Sequence, residues 1–282
     1  MTEPRRFTLT LPDGDMAGIE FGDPERAVDV IFLHATGFNA STNRQCLGVA
    51  AETLRIVALD QRGHGLSTLP TDPDGLEDWG PFADDLLRAV EALQLKQPVV
   101  LSGHSMGGAV SLHAAATLRD RVKALVLFDP VIMSVREPKK WVDAPLVVGA
   151  RKRRPRFASK QAALEAYVGR GAFKTWPPQA VADYVEDGFR EDGIEVTLTC
   201  APAWEAAIFS VSTLRNPIDS LAKVTVPVSV LKAEHGATCH LDAHRHIDPF
   251  PERSMVTVPG SSHFLPMERP DLVAKALAAA RV

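Results

Sequence analysis

The sequence predicts an α/β fold: a mostly parallel, doubly wound sheet of about eight strands, carrying an inserted helical cap. Three observations carry this. Short runs rich in Val, Ile and Leu alternate with helical patterns over residues 28–130 and again over 227–280. Such alternation implies crossover helices covering both faces of a parallel sheet. The alternation stops from Val131 to about Leu221, where charge and tryptophan are richer. Finally, the apolar run Pro98–Leu101 passes through Ser102-Gly103-His104-Ser105-Met106-Gly107-Gly108 into the alanine-rich run Ala109–Leu118. That is a strand, a glycine-flanked serine and a helix in succession.

Taken in order, Phe7–Leu11 and Met16–Phe21 read as an edge hairpin turned by Pro12-Asp13-Gly14-Asp15. Val28–Leu33 is a buried-strand pattern that ends in the small-residue loop His34-Ala35-Thr36-Gly37-Phe38. A helix is expected over about Thr42–Thr53. The strand Leu54–Leu59 then leads into Asp60-Gln61-Arg62-Gly63-His64-Gly65-Leu66-Ser67. Trp79–Leu95 is helical, with Leu86, Leu87, Val90 and Leu93 on one stripe. After the serine segment, the strand Val122–Phe128 ends in Asp129-Pro130. Within the interruption, helices are expected near Lys160–Val168 and Gln179–Phe189. Pro227–Leu231, a helix around Leu241–Ile247, the strand Ser254–Val258 and a terminal helix over Pro270–Ala280 complete the chain. The expected division is a core of residues 1–130 and 222–282 and a cap of 131–221. The cap would lie over the carboxyl ends of the strands, where such sheets bind ligands.

Bulk properties exclude several classes. A net charge of −4 offers no electrostatic case for nucleic acid. The three cysteines, Cys46, Cys200 and Cys239, are sparse and lack metal-ligand spacing, which argues for a reducing compartment. The polar start, Met1–Arg6, is followed by no apolar run, so no signal peptide is read, and no stretch approaches the roughly 20 apolar residues of a membrane span. A cytoplasmic location is the expectation.

The serine segment concentrates the chemistry. Gly103 and Gly107 remove side chains that would collide where strand meets helix. Ser105 is then held at the tip, with the Met106 N–H facing the same space at a helix N-terminus, where negative charge is favoured. A serine hydroxyl needs a base, and His263, between the last strand and the terminal helix, is best placed. His64 and His104 read as loop-orienting rather than proton-transferring.

Leu33-His34, Asp60 to Ser67, Gly103 to Gly108 and Gly260-Ser261-Ser262-His263-Phe264-Leu265-Pro266-Met267-Glu268 together resemble lipase/esterase-type members of the α/β-hydrolase fold superfamily. The resemblance runs from about Val30 to Pro130 and from Pro227 to the end. It implies an oxyanion hole from the N–H groups of Met106 and Thr36, with the Thr36 hydroxyl as a further donor. The family usually has His-Gly where this chain has His34-Ala35. Many relatives carry an acid after the strand that is here Pro227–Leu231, but Gly236 stands at that position. Others place it one strand earlier, where Asp129 lies. Asp129 is therefore the first choice, Glu234 the alternative and Asp242 a remote third.

The expected substrate-lining residues are His34 and Phe264, with Trp141, Trp176 and Trp204 from the insertion. The basic run Arg151–Arg156 is either a solvated face or a site for an acidic partner. The reading is a serine hydrolase acting on a small ester or lactone with an apolar acyl part, needing no metal or cofactor. The alternatives are a C–C bond hydrolase or perhydrolase/haloperoxidase of the same fold, and a non-catalytic ligand-binding relative.

Overall fold

The computed structural model describes residues 4–133 and 139–280. The hairpin is β1 (Arg5–Leu11) and β2 (Gly14–Phe21), followed by β3 (Val30–Leu33), α1 (Arg44–Ala50), β4 (Ile56–Leu59) and α2 (Gly80–Ala92). Next come β5 (Val99–His104), α3 (Met106–Leu118) and β6 (Val122–Phe128). An insertion holds α4 (Pro145–Arg151), β7 (Arg156–Phe157), α5 (Lys160–Tyr167), α6 (Pro178–Gly188), β8 (Phe189–Asp192), β9 (Glu195–Leu198), α7 (Pro202–Ser210) and α8 (Pro217–Leu221). The chain closes with β10 (Val228–His235), α9 (Ala243–His246), β11 (Arg253–Ser262), α10 (Leu265–Glu268) and α11 (Pro270–Ala279).

Eight strands form one sheet in the order β1-β2-β4-β3-β5-β6-β10-β11. The β1–β2 and β2–β4 pairs are antiparallel and the rest are parallel. Strands β3, β4 and β5 are buried along their whole length, because helices cover both faces. Successive side chains divide between two cores. Ile31, Leu33, Leu101 and Leu127 pack beneath α2 and α3, while Val30, Phe32, Val100 and Phe128 pack beneath α1 and α11. Helix α3 is central, with Met106 through Ala115 all buried. An apolar surface all round suits that position.

Among the differences from the sequence-based expectation, three have a local cause. Helix α2 ends at Ala92 because Gln94 takes φ 49°, a left-handed stop. The helix expected over 241–247 is a single turn, capped by the Asp242 carboxylate on the Arg245 N–H. The insertion is not helical throughout: β7, β9 and β8 form a small antiparallel sheet. Its strands are only two to four residues long, too short for a clear alternation signal.

The junction of β5 and α3 is packed backbone against backbone. A Cβ on Gly103 would overlap the backbone of Gly107, and one on Gly107 would overlap the Leu33 carbonyl. We therefore expect Gly107→Ala to destabilise by at least about 1–3 kcal/mol, although alanine is the better helix former. Gly149→Ala, in α4 with nothing within 4 Å of the added carbon, should instead be neutral or stabilise by up to about 1 kcal/mol. Urea unfolding midpoints check both, and a Gly107→Ala midpoint equal to the parent's would show that the junction has slack.

Candidate active site

Ser105 is the sole residue between β5 and α3, and it takes φ 56°, ψ −118°. This conformation costs a non-glycine residue about 1–3 kcal/mol. The surroundings hold it: the Ser105 N–H donates to the Phe128 carbonyl at 3.0 Å, and its own carbonyl accepts from Gly108, Ala109 and Val131.

His263 follows β11 directly. Its Nε2 lies 3.0 Å from Ser105 Oγ, and its Nδ1 lies 2.6 Å from Asp129 Oδ2. With Nδ1–H donating to the carboxylate, Nε2 is free to accept from the hydroxyl. Asp129 directly follows β6 and takes φ 38°, a region aspartate tolerates better than most residues. It is buried, and its carboxylate also accepts the N–H of Ala233 at 3.2 Å and of Thr238 at 2.9 Å. Burial alone would raise its pKa; the His263 contact, followed by the two backbone donors, outweighs burial and holds it below the ordinary carboxylate value. The segment around Gly236 thus supplies N–H donors to a carboxylate from the neighbouring strand.

The other acids lie elsewhere. Glu234 is exposed and accepts from the Gly260 N–H at 2.7 Å, and Asp242 caps α9.

Thr36 and Met106 are in contact, with the Thr36 hydroxyl donating to Met106 Sδ at 3.3 Å. That hydroxyl is therefore directed at the sulfur rather than offered as a third donor. The next two N–H groups of the loop are engaged, Gly37 with His64 Nε2 at 3.0 Å and Phe38 with the Ala35 carbonyl at 3.2 Å. Loop shape is set by two neutral imidazoles. His64 accepts from Gly37 at Nε2 and donates from Nδ1 to the Arg62 carbonyl. His34 accepts from the Gln61 N–H at Nε2 and donates from Nδ1 to the Ala35 carbonyl. Beneath them, the buried Asp60 carboxylate accepts from Ala40 and Leu66. Arg62 is fixed by a two-pronged pair with Asp85 of α2.

The aromatic candidates separate. Trp176 and Phe264 meet at 5.6 Å between ring centres, and Phe264 lies 5.6 Å from the His263 ring. Phe38 joins them, 5.0 Å from Trp176 and 6.2 Å from Phe264. Phe38 was not singled out from the sequence; its place two residues after Thr36 was the available signal.

Two candidate lining residues, His34 and Trp204, are corrected, and the contacts of a third, Trp141, lie within the insertion. His34 is fully buried with both nitrogens on backbone groups, so it shapes the loop and has no ring nitrogen free for a substrate. Trp204 is buried against Phe82 and donates to the Arg62 carbonyl at 3.0 Å, which makes it core. Trp141 donates to Thr213 and lies under Lys139, within the insertion. The basic run is largely occupied as well: Arg153 pairs with Glu205 and Tyr184, and Arg156 with Asp192.

Burial keeps four imidazoles uncharged. It pushes His64 and His113 down to about 4 and His104 to about 3, and holds His34 well below its usual value. In the unfolded chain these groups take up protons near pH 6.5. Their contribution is therefore complete above pH 6.5 and is lost as pH falls from there towards about 4, by on the order of 1 kcal/mol per group per pH unit. Asp60, pushed up to about 7 by burial, works in the opposite sense and offsets about one of the four. Urea midpoints should fall steeply between pH 6.5 and 4.5, and a flat profile there would mean that the imidazoles do not stay neutral.

A model of the alpha/beta hydrolase family matches residues 30–276. The 2-(acetamidomethylene)succinate hydrolase of Mesorhizobium japonicum is 25% identical over 251 residues, covering 88% of this chain and 86% of that protein. The lipase LipV of Mycobacterium tuberculosis is 35% identical over 128 residues, 42% of this chain and 49% of the relative. Among solved structures, a thioesterase domain from the curacin biosynthetic pathway superposes with a TM-score of 0.79 at 18% identity, covering 99% of this chain and all of that one. With the match spanning β3 through β11, the serine turn and the histidine loop, the chain belongs to the alpha/beta hydrolase family.

Proposed function

We propose that the protein is a serine hydrolase that cleaves a carboxylic ester or lactone with an apolar acyl part, through an acyl-enzyme on Ser105. The observation that carries this is the continuous hydrogen-bonded chain Ser105 Oγ–His263–Asp129, at 3.0 and 2.6 Å. Ser105 attacks the carbonyl as its proton passes to His263 Nε2, while Asp129 holds the ring's tautomer and stabilises the imidazolium that forms. The N–H groups of Met106 and Thr36 receive the negative charge of the tetrahedral intermediate. His263 then protonates the departing alkoxide. Water deprotonated by the same nitrogen releases the acid.

The insertion from α4 to α8 is the cap over this centre. Trp176, together with Phe38 and Phe264 from the core, supplies an aromatic boundary suited to an apolar acyl group. An intact proton path also favours turnover over ligand binding alone.

A fluorophosphonate probe should label the protein, and Ser105→Ala should abolish both labelling and ester turnover while leaving the fold intact. Undiminished labelling of that variant would overturn the assignment. Asp129→Asn should lower kcat by about 10³–10⁴, as the equivalent change does in serine proteases, whereas Glu234→Gln should cost less than about tenfold. Equal losses would remove Asp129 from its role.

With p-nitrophenyl esters, kcat/KM should rise from acetyl to butyryl or beyond, by at most roughly fourfold per methylene, then fall once the space is full. A flat series, or a preference for charged acyl groups, would count against the apolar site.

A further inference from the structure

His104, the residue before Ser105, is buried and touches both loops that flank the serine. Its Nε2 donates to the backbone carbonyl of His263 at 2.7 Å. Its ring centre lies 4.9 Å from that of His263 and 6.5 Å from that of Phe38, nearly parallel to the latter. One imidazole at the end of β5 thus lies against the loop carrying the histidine and the loop carrying Thr36.

The His263 backbone needs such a tie. Its neighbours are anchored from the far side, where Ser262 N–H and Oγ both donate to Glu268. Among the described contacts, the tie from the serine side to the His263 carbonyl comes from His104. The donor must also be uncharged, since a cation 4.9 Å away would oppose an imidazolium at His263. Burial, followed by the proximity of His263, keeps His104 neutral.

We propose that His104 is a positioning residue: its Nε2–H holds the His263 backbone so that the ring of His263 stays in register with both Ser105 and Asp129. The proposal rests on the hydrolase reading for its kinetic consequence, but its geometric part does not depend on turnover.

The test compares His104→Leu, which removes the donor at similar size, with His104→Gln, whose amide nitrogen reaches about as far as Nε2. A misplacement near 1 Å can cost about a hundredfold in rate. His104→Leu should therefore lose roughly 10- to 100-fold in kcat on p-nitrophenyl butyrate with KM within about twofold, and His104→Gln should recover to within about threefold of the parent. In parallel, the far-downfield proton resonance of the His263–Asp129 hydrogen bond should broaden or vanish in His104→Leu and persist in His104→Gln. This readout needs no substrate, so it separates failure of the proposal from failure of the hydrolase reading.

Equal activity and equal resonances in the two variants, whether both intact or both impaired, would overturn the proposal, because the donor would then be irrelevant. If His104→Leu does not fold, His104→Asn takes its place, since its amide is too short to reach the carbonyl. Loss in Asn with retention in Gln supports the tie, and equality refutes it.

Discussion

The architecture depends on one backbone constraint: a serine at positive φ between a strand and a helix that are separated by no other residue. Bringing the first turn of α3 so close to β5 and β3 leaves no room for a Cβ at Gly103 or Gly107, and little at Gly108, where it would come within 2.9 Å of Pro130. The strain at Ser105 is offset by burying nearly all of α3 between the sheet and its covering helices. The same junction aims the hydroxyl away from the core and brings Met106 against Thr36.

Around that turn, precision comes from buried polar groups rather than from apolar packing. His34 and His64 use both ring nitrogens on backbone partners. Such a ring fixes loop geometry as firmly as a ladder of backbone hydrogen bonds, but only while it is neutral. The burial that enforces neutrality also makes the fold sensitive to acid. Asp60 and the Arg62–Asp85 pair support the adjoining glycine-rich loop in the same way. Removing one partner of such a buried pair would cost far more than the pair itself contributes.

The insertion is joined to the sheet domain through many specific contacts. Arg6 pairs with Asp187, Gln45 with Asp183, and Asn39 donates to the Tyr184 carbonyl. Trp79 and Trp204 each donate across the boundary, to the carbonyls of Ile208 and Arg62. Behind Gly37, Arg153 is held by Glu205 and Tyr184. A side chain at Gly37 would strike Glu205, which ties the shape of the Thr36 loop to the insertion. These contacts fasten the insertion to the sheet at several separate points.

What the sequence determined by itself was local. Buried parallel strands announce themselves as short β-branched runs, the serine turn needs its glycines at set spacing, and a helix stop such as Gln94 shifts a boundary by only a few residues. Tertiary structure decided what depends on contacts far apart in the chain. Asp129 and Glu234 stood near strand ends and Asp242 at a helix start; only the pairing of β6 with β10 brings Asp129, and neither of the others, within hydrogen-bond reach of His263. The tryptophans likewise looked equivalent as large apolar residues in one charged segment. Trp176 lies beside Phe264, while Trp204 fills the core, because packing direction rather than composition chooses a side chain's neighbours. His34 resembled a site residue by its place after a strand, but its ring turned inward to satisfy backbone groups that no water could reach.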